Sequence, residues 1–415
     1  VSKSRSRISL KAKLATSVFV NLYLQACRQM RTVPVSSFIC HLDKTDLNWN
    51  HYGVGPQGVK ALAIALQSDT VITHLELEDN SLRAEGIRSL MEMLHQNTTI
   101  QSLNLSNNQL GYKGAEIISK FLSNNCFIKY IKLSGTSFQF FHLSIFFNVP
   151  LSGNCMVKEL DLSHNKFCKR GGEHLGHMLE TNVGIEKLNL SWSLHSVVDL
   201  CAGLELNWTL KRLYLKHNNF GHIQAKSLGK AVKLNSTLVL LDLSDNMIDD
   251  EAVTPLCQGL ASNNTLIVIK LSYNPMTNPG AMTLLKTVVN NSESALKEVD
   301  ISVSKFLEEQ NLSIMDFCTA LDKDGTMKVP TSVFRKAIKV SLTTSCTGCT
   351  ILIHLLSENN KSVRENDLRM LQFYTCMNEQ WRKRSCHVYR KQTYLWISVS
   401  VHIWSGSLTR RSQAP

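Results

Sequence analysis

A repeat of 28 residues runs through most of the chain and constrains its fold more than any other feature. In each copy an apolar anchor is followed by a second apolar residue two positions later, usually Asn at the fifth position, and another apolar residue at the seventh. The anchors are Leu47, Leu75, Leu103, Ile131, Leu160, Leu188, Leu213, Leu241, Ile269 and Val299. One such unit cannot bury its own apolar residues, so the pattern predicts units that stack on one another.

Each repeat combines the pattern of a short strand with that of a helix. Leu75-Glu-Leu77 alternates apolar and polar residues, as a strand does. The residues that follow, Ile87, Leu90, Met91 and Leu94, lie on one stripe of a helix. Helices are wider than strands, so a stack of these units bends with its strands inside. The pattern therefore predicts an α/β horseshoe over residues 47–306, with parallel strands on the concave face and helices on the convex face.

Asparagine recurs at two positions of the repeat. The first series follows the strands, where an amide can hydrogen-bond buried backbone groups of adjacent turns and form a structural ladder. It consists of Asn80, Asn108, Asn165, Asn218, Asn246 and Asn274. The second series ends the helices, where Asn tolerates the left-handed conformation, so these residues are predicted to be helix caps. It consists of Asn97, Asn125, Asn182, Asn235 and Asn263.

The period and the motif Leu-x-x-Leu-x-Leu-x-x-Asn-x-Leu, with glycines such as Gly86 and Gly114, resemble the ribonuclease-inhibitor subclass of leucine-rich repeats. Within it the chain resembles the family of leucine-rich repeat-containing protein 74, through Val33-Pro-Val-Ser36, Leu75-Glu-Leu-Glu-Asp-Asn80 and Leu321-Asp-Lys-Asp-Gly325. This resemblance covers residues 20–340. It implies a leucine-rich-repeat horseshoe solenoid of an intracellular protein, and it implies little about molecular function.

Four regions are predicted. Residues 1–46 form a basic segment with a helical cap at 14–42, whose stripe is Leu14, Val18, Leu22 and Ala26; a targeting segment is the alternative. The solenoid at 47–306 is followed by a second cap at 307–340. Residues 341–415 form an irregular basic tail. Both this tail and residues 137–156 are either functional segments or artefacts of splicing or of the gene model. For the tail, disorder is a further alternative.

Charge and cysteine content indicate the cellular setting. The net charge of +12 comes mainly from the two ends, since no acidic residue precedes Asp43 and a basic cluster spans 382–391. The twelve cysteines are scattered singly and do not cap the repeats, which favours reduced thiols and a cytoplasmic location. No stretch of apolar residues is long enough for a transmembrane helix.

Motifs for catalysis, cofactors or metals are absent or incomplete. The sequence has no GxxxxGK[ST], GxSxG or HExxH, and no cofactor or catalytic residue is predicted. Asp322, Asp324 and Thr326 resemble the start of a calcium loop, but Met327 and Val333 replace the turn glycine and the bidentate glutamate, so no calcium site is expected. Two further sets have spacings that do not favour zinc. They are His164, His174 and His177, and Cys346, Cys349, Cys376, Cys386 and His387.

The predicted function is recognition of a protein partner by the concave face, as a scaffold, adaptor or inhibitor. Residues that flank the inward leucines of two neighbouring strands form a basic, aromatic candidate site. They are Lys187, Trp192, Arg212, Tyr214 and Lys216, with His217 beside them. A regulator of a small GTPase is the alternative, because the Ran GTPase-activating proteins share this repeat class. Nucleic acid or anionic lipid is expected only at the basic ends.

Overall fold

The computed structural model describes residues 19–36, 44–138, 151–167, 169–194, 197–302, 340–343 and 350–351. The calcium-like loop, the Cys346–Cys349 pair and nearly all of the tail lie outside the described residues, as do residues 139–150. The chain divides into two compact units, 1–295 and 296–415, each described by itself. The domain boundaries predicted from the sequence stay predictions.

Nine parallel strands follow one another through the first unit. They are β1 (Asp46–Asn48), β2 (His74–Glu76), β3 (Ser102–Asn104), β4 (Tyr130–Lys132), β5 (Glu159–Asp161), β6 (Lys187–Asn189), β7 (Arg212–Tyr214), β8 (Leu240–Asp242) and β9 (Val268–Lys270). Each strand pairs with the next, and the register places each anchor opposite the anchor of the following repeat, as Leu75 lies opposite Leu103. The predicted leucine-rich-repeat horseshoe, with its strands concave and helices convex, is confirmed.

In the described part of the chain, one helix precedes β1 and the others connect successive strands. They are α1 (19–30), α2 (Gly55–Leu66), α3 (Arg83–Leu94), α4 (Gly111–Ser123), α5 (Lys169–Thr181), α6 (Val198–Leu206), α7 (His222–Leu234), α8 (Asp250–Leu260) and α9 (Asn278–Asn290). The predicted stripe of α3 is buried, together with Leu75 and Leu77 of its repeat. The anchors and helix stripes of successive turns thus share one apolar core, which removes from water the surface that a single repeat would expose.

A column of asparagines after the strands connects the turns; we call the six predicted residues of this series the post-strand column. Asn246 Nδ2 donates to the carbonyl of Leu215 in the preceding turn (3.1 Å) and to that of Leu243 in its own (3.0 Å). Its Oδ1 accepts from the backbone N–H groups of Asn218 (2.9 Å) and Phe220 (3.1 Å). Ser193 occupies this position in the shortened repeat and donates to the carbonyl of Leu162 (2.9 Å). These bonds satisfy backbone groups that no strand or helix pairs.

The second asparagine series forms another column, and the prediction of left-handed helix caps is wrong. The backbone of Asn235 is extended (φ −76°, ψ 130°), and its Nδ2 donates to the carbonyls of Leu204 and Asn207 in the preceding turn, both at 2.8 Å. Its Oδ1 accepts from two N–H groups of its own turn, including Leu238 (2.8 Å). We call this the pre-strand column. Its members are Asn97, Asn125, Asn154, Asn182, Asn207, Asn235, Asn263 and Asn291.

The N-terminal helix buries Ala26 of the predicted stripe but leaves Leu22 partly exposed, while Leu14 and Val18 lie outside the described residues. Tyr23, Ala26 and Cys27 are buried, whereas Leu22 is 37% exposed. A helix turn has 3.6 residues, so spacing by three and four keeps residues on one side, while strict spacing by four drifts away. The ring of Tyr23 lies 5.8 Å from that of Trp49, the buried residue that follows β1. Residues 32–35 are not helical, so the described part of the predicted cap is not one continuous helix.

The shortened repeat loses its residues on the helix side. Helix α6 has 9 residues, whereas the other helices described after β1 have 11 to 13. Leu188 of β6 still lies opposite Leu213 of β7. Gly203 of α6 comes so close to Gly176 of α5 that an added Cβ would lie 2.0 Å from the Gly176 carbonyl oxygen. The deletion therefore leaves the strand register unchanged.

The second unit is described through three strands. They are β10 (Glu298–Ser302), β11 (Val340–Thr343) and β12 (Thr350–Ile351). Strand β10 pairs in parallel with β11, and β11 pairs antiparallel with β12. The last anchor, Val299, is buried in β10. None of the described helices is both long and apolar enough to cross a membrane.

Candidate protein-binding site on the concave face

The concave face consists of the residues immediately before and after each strand anchor, and those three and four positions after it. Its first third, β1–β3, presents four acidic residues and no Lys or Arg at these positions. They are Asp46, Glu76, Glu78 and Asp79. Strands β6 and β7 present Lys187, Arg212 and Lys216 and no acidic residue. The face therefore changes its charge along the solenoid.

The five residues predicted as a binding site lie on β6, β7 and the turns that follow. Lys187 lies opposite Arg212, and Tyr214 lies beside Asn189. Arg212 is exposed, Tyr214 and Lys216 are half-buried, and Trp192 is 47% exposed. The five are thus neighbours on one surface. Whether they bind a partner stays a prediction.

Lys187 is less available to a partner than its charge suggests. Its Nζ lies 2.9 Å from the Glu159 carboxylate of β5 and 5.9 Å from the centre of the Tyr214 ring. The first contact is an ion pair, and the second has the distance of a cation–π interaction. Arg212 and Lys216 therefore provide the cations of this region that are open to a ligand.

The residues four positions after the anchors share a left-handed backbone conformation. In this column φ lies between 53° and 63° from the first repeat to the ninth. Its members are His51, Asp79, Asn107, Gly135, His164, Trp192, His217, Asp245 and Tyr273. Asn, Asp and Gly tolerate this conformation well, whereas Trp192 and Tyr273 adopt it at a cost. The repeat therefore imposes on Trp192 a backbone that its side chain does not favour.

Trp192 stands between two histidines of neighbouring turns. The His217 ring is stacked on it at 3.1 Å between centres, and the His164 ring is stacked at 5.5 Å. His217 Nδ1 lies 2.7 Å from the Asp245 carboxylate. Because β5 and β7 lie on opposite sides of β6, the two imidazoles cover opposite faces of the indole. Trp192 is therefore stacked between two imidazoles and still 47% exposed.

A groove of about 280 Å³ lies on strands β4–β7. Its lining residues are Tyr130, Ile131, Lys132, Glu159, Leu160, Asp161, Lys187, Asn189 and Tyr214. The anchors Ile131 and Leu160 are buried, and Tyr130 is 40% exposed. Sequence reasoning missed Tyr130, although it precedes its anchor as Lys187 and Arg212 precede theirs. An apolar floor beside tyrosine rings and charged groups suits a protein side chain with a polar tip.

The described residues contain no group of three or more His, Cys, Asp or Glu side chains placed to hold a metal ion. His164 belongs to the tryptophan stack, while burial lowers the pKa of His174 on α5. Five described cysteines are free thiols: Cys27, Cys126, Cys155, Cys201 and Cys257. Burial raises the pKa of the Cys201 and Cys257 thiols, which disfavours the reactive thiolate.

Comparison with known proteins finds leucine-rich repeats. The family described as "Leucine Rich repeat" matches residues 96–119, 153–176, 234–257 and 262–285. Leucine-rich repeat-containing protein 74B of Mus musculus is 44% identical over 59 residues, 14% of this chain and 15% of that protein. Leucine-rich repeat-containing protein 45 of Gallus gallus is 38% identical over 88 residues, 20% of this chain and 13% of that protein. The matched segments therefore span only 13–15% of these relatives.

Two solved structures are also similar. Internalin C2 from Listeria monocytogenes is 19% identical with a TM-score of 0.34, covering 68% of this chain and 92% of that one. TLR13 in its complex with ssRNA13 is 14% identical with a TM-score of 0.34, covering 59% of this chain and 42% of that one. With the strand pairing and the matched repeats, the class is clear: the chain is a leucine-rich-repeat solenoid. Within that class its sequence resembles leucine-rich repeat-containing protein 74B.

Proposed function

We propose that the concave face at β4–β7 recognises a protein partner, and that the chain acts as a scaffold, adaptor or inhibitor without catalysing a reaction. The observation that carries this proposal is the pair of partly exposed tyrosines that line the groove, Tyr130 (40% exposed) and the half-buried Tyr214. Trp192, which follows β6, is 47% exposed. Tyrosine, tryptophan and arginine dominate the binding energy of protein interfaces. Leucine-rich repeats generally mediate protein–protein interaction.

The same proposal includes a cytoplasmic location and the ribonuclease-inhibitor-like repeat subclass. Free thiols at Cys126 and Cys155, both exposed, are compatible with a reducing compartment. The 28-residue period supports the subclass. Fluorescence microscopy of the tagged full chain tests the location, and accumulation in a secretory compartment would contradict it.

The binding site is tested with a double variant, Tyr214→Ala plus Arg212→Ala. The full chain serves as bait in extracts of its native tissue, and the affinity of each captured protein is then measured with purified components. We expect the double variant to weaken binding by at least about 2 kcal/mol, roughly thirtyfold in Kd, because it removes an aromatic and a cationic contact. Circular dichroism melting should be unchanged, since neither side chain is a core residue.

The matched control changes two exposed side chains of α7 on the convex side, Ile223→Ala plus Lys226→Ala. This variant should bind captured partners as the unmodified chain does. Normal binding by the Tyr214 and Arg212 variant, together with loss in the α7 variant, would place the interface on the helices and refute the proposal. Acceleration of GTP hydrolysis by the full chain, measured on a panel of small GTPases, would refute the non-catalytic role.

A further inference from the structure

The carboxylates that border β6 and β7 already have partners. On β5, Glu159 pairs with Lys187 at 2.9 Å, and Asp161 accepts from the Ser163 backbone N–H (2.9 Å) and from Asn189 Nδ2 (3.1 Å). On the other side, Asp242 accepts from the backbone N–H of Ser244 at 3.0 Å, and Asp245 contacts His217. None of these four acids forms an ion pair with Arg212 of β7 or with the half-buried Lys216 that follows it.

Arg212 and Lys216 differ in this respect from Lys132 and Lys187, the other two cations at the concave positions of β4–β7. Each of those two lysines forms an ion pair across repeats. Within the described part of the chain, no carboxylate lies within the 4.0 Å ion-pair distance of the Arg212 guanidinium or the Lys216 ammonium. The Glu186 carboxylate, which pairs with Lys211, also interacts electrostatically with Arg212, but at more than ion-pair distance. Two neighbouring cations without a direct ion pair create a local positive potential that a ligand can neutralise.

The spacing of the two cations defines the shape of that ligand. Arg212, Tyr214 and Lys216 alternate along the chain, so all three face the concave side. Backbone hydrogen bonds to the neighbouring repeat continue past the end of β7, since Leu215 N donates to the Asp242 carbonyl at 2.8 Å. Four residues of extended chain span about 13 Å, with Tyr214 midway. An extended segment lying along this row meets a cation, an aromatic ring and a second cation in turn.

We propose that this row binds an extended acidic segment of a partner protein. The segment carries two carboxylates four residues apart, paired with Arg212 and Lys216, and an apolar side chain between them against Tyr214. This inference rests on the proposed function, because it names the chemistry that the concave face recognises. Arg212 contributes specificity, since its planar guanidinium forms two parallel hydrogen bonds with one carboxylate.

The arrangement favours a protein segment over a single-stranded nucleic acid. Nucleic acids bind through bases stacked on open aromatic faces. His164 and His217 cover both faces of Trp192, and the Lys187 ammonium lies over the ring of Tyr214.

Fluorescence anisotropy of the full chain with three labelled peptides tests the inference. The peptides are Gly-Glu-Ser-Leu-Ser-Glu-Gly and its two versions with Gln or Lys in place of both Glu residues. We expect the Glu peptide to bind about tenfold more tightly than the Gln peptide, through two charge-assisted contacts, and to weaken as salt is added. The variant Arg212→Ala plus Lys216→Ala should abolish this preference. Its control, Lys226→Ala plus Lys233→Ala on α7, removes the same charge from the convex side and should keep it.

Several outcomes would contradict the proposal that this row binds an acidic segment. They are equal binding of the Glu and Gln peptides, tighter binding of the Lys peptide or of a short oligo-uridylate, and no binding of the Glu peptide up to about 1 mM. The proposed function fails separately, when captured partners bind the Tyr214 and Arg212 variant normally. In a third outcome, the Tyr214 and Arg212 variant loses its partners, the Lys216→Ala variant binds them normally, and the binding segment of the partner contains no acidic residue. In that case only the acidic-segment inference is wrong, and the proposed function stands.

Discussion

The two asparagine columns and the concave face run along the same turns of the solenoid and differ in how much the repeat restricts them. In the pre-strand column the residue is Asn in eight turns from Asn97 to Asn291. On the concave face the residues around the anchors change from acidic on β2 to basic and aromatic on β7. Every turn must satisfy the same buried backbone groups, but each turn presents its own surface.

This difference indicates that the asparagine columns contribute to the stability of the fold, whereas the concave face contributes to recognition of a partner. An asparagine in a column makes several hydrogen bonds to fixed backbone positions, four in the case of Asn235, through an amide that both donates and accepts. A residue on the face contacts its neighbours only through its side chain. Substitutions in the columns are therefore expected to change the free energy of unfolding, and substitutions on the face are expected to change binding.

The largest effect is expected for Asn235→Gly, which distinguishes the pre-strand column from a helix cap. Glycine suits a left-handed cap, so a cap would tolerate this change. In the observed extended conformation the variant loses the amide and leaves buried carbonyls and N–H groups unpaired, at about 1–3 kcal/mol, and glycine adds a further backbone cost of about 0.5–1 kcal/mol. Urea unfolding measures the change. An unaltered midpoint would restore the cap interpretation.

A somewhat smaller loss is expected for Asn246→Ala in the post-strand column. The variant removes the donor to Leu215 and Leu243 and the acceptor for Asn218 and Phe220, at about 1–3 kcal/mol of unfolding free energy. Partner affinity of the folded chain should be unchanged. Lys226→Ala on the exposed side of α7 serves as the control, and equal midpoints for both variants would show that the column does not stabilise the fold.

Much of the fold was predictable because a period is a global signal. The anchor spacing alone gave the register of every strand pair from β1 to β9, and the short spacing between Leu188 and Leu213 did not disturb it. The role of the second asparagine series was not predictable from position, since Asn at the end of a helix fits both a left-handed cap and a buried ladder. Only backbone angles and hydrogen bonds separate the two.

The sequence predicted which residues of the candidate site lie next to one another, but it did not predict which side chains contact each other. Strand alternation placed Lys187, Arg212 and Tyr214 on one face. The pairing of Lys187 with Glu159 depends on where side chains of adjacent strands reach, and the groove beside Tyr130 depends on the shape of four strands together. Neither property is encoded in the order of residues within one repeat.

The smallest effect on stability is expected for Trp192→Asn, where two costs oppose each other. Trp192 has φ 58°, and Asn relieves about 1 kcal/mol because it tolerates the left-handed conformation. The variant also loses the stacking with His164 and His217, at about 0.5–1.5 kcal/mol. The free energy of unfolding should therefore change by less than about 1 kcal/mol, while partner affinity falls because the partly exposed indole is gone. Urea midpoints and Kd values measured on the same preparations test both halves. A chain that unfolds much earlier, yet binds its partner normally, would assign Trp192 to the core of the solenoid and remove it from the recognition surface.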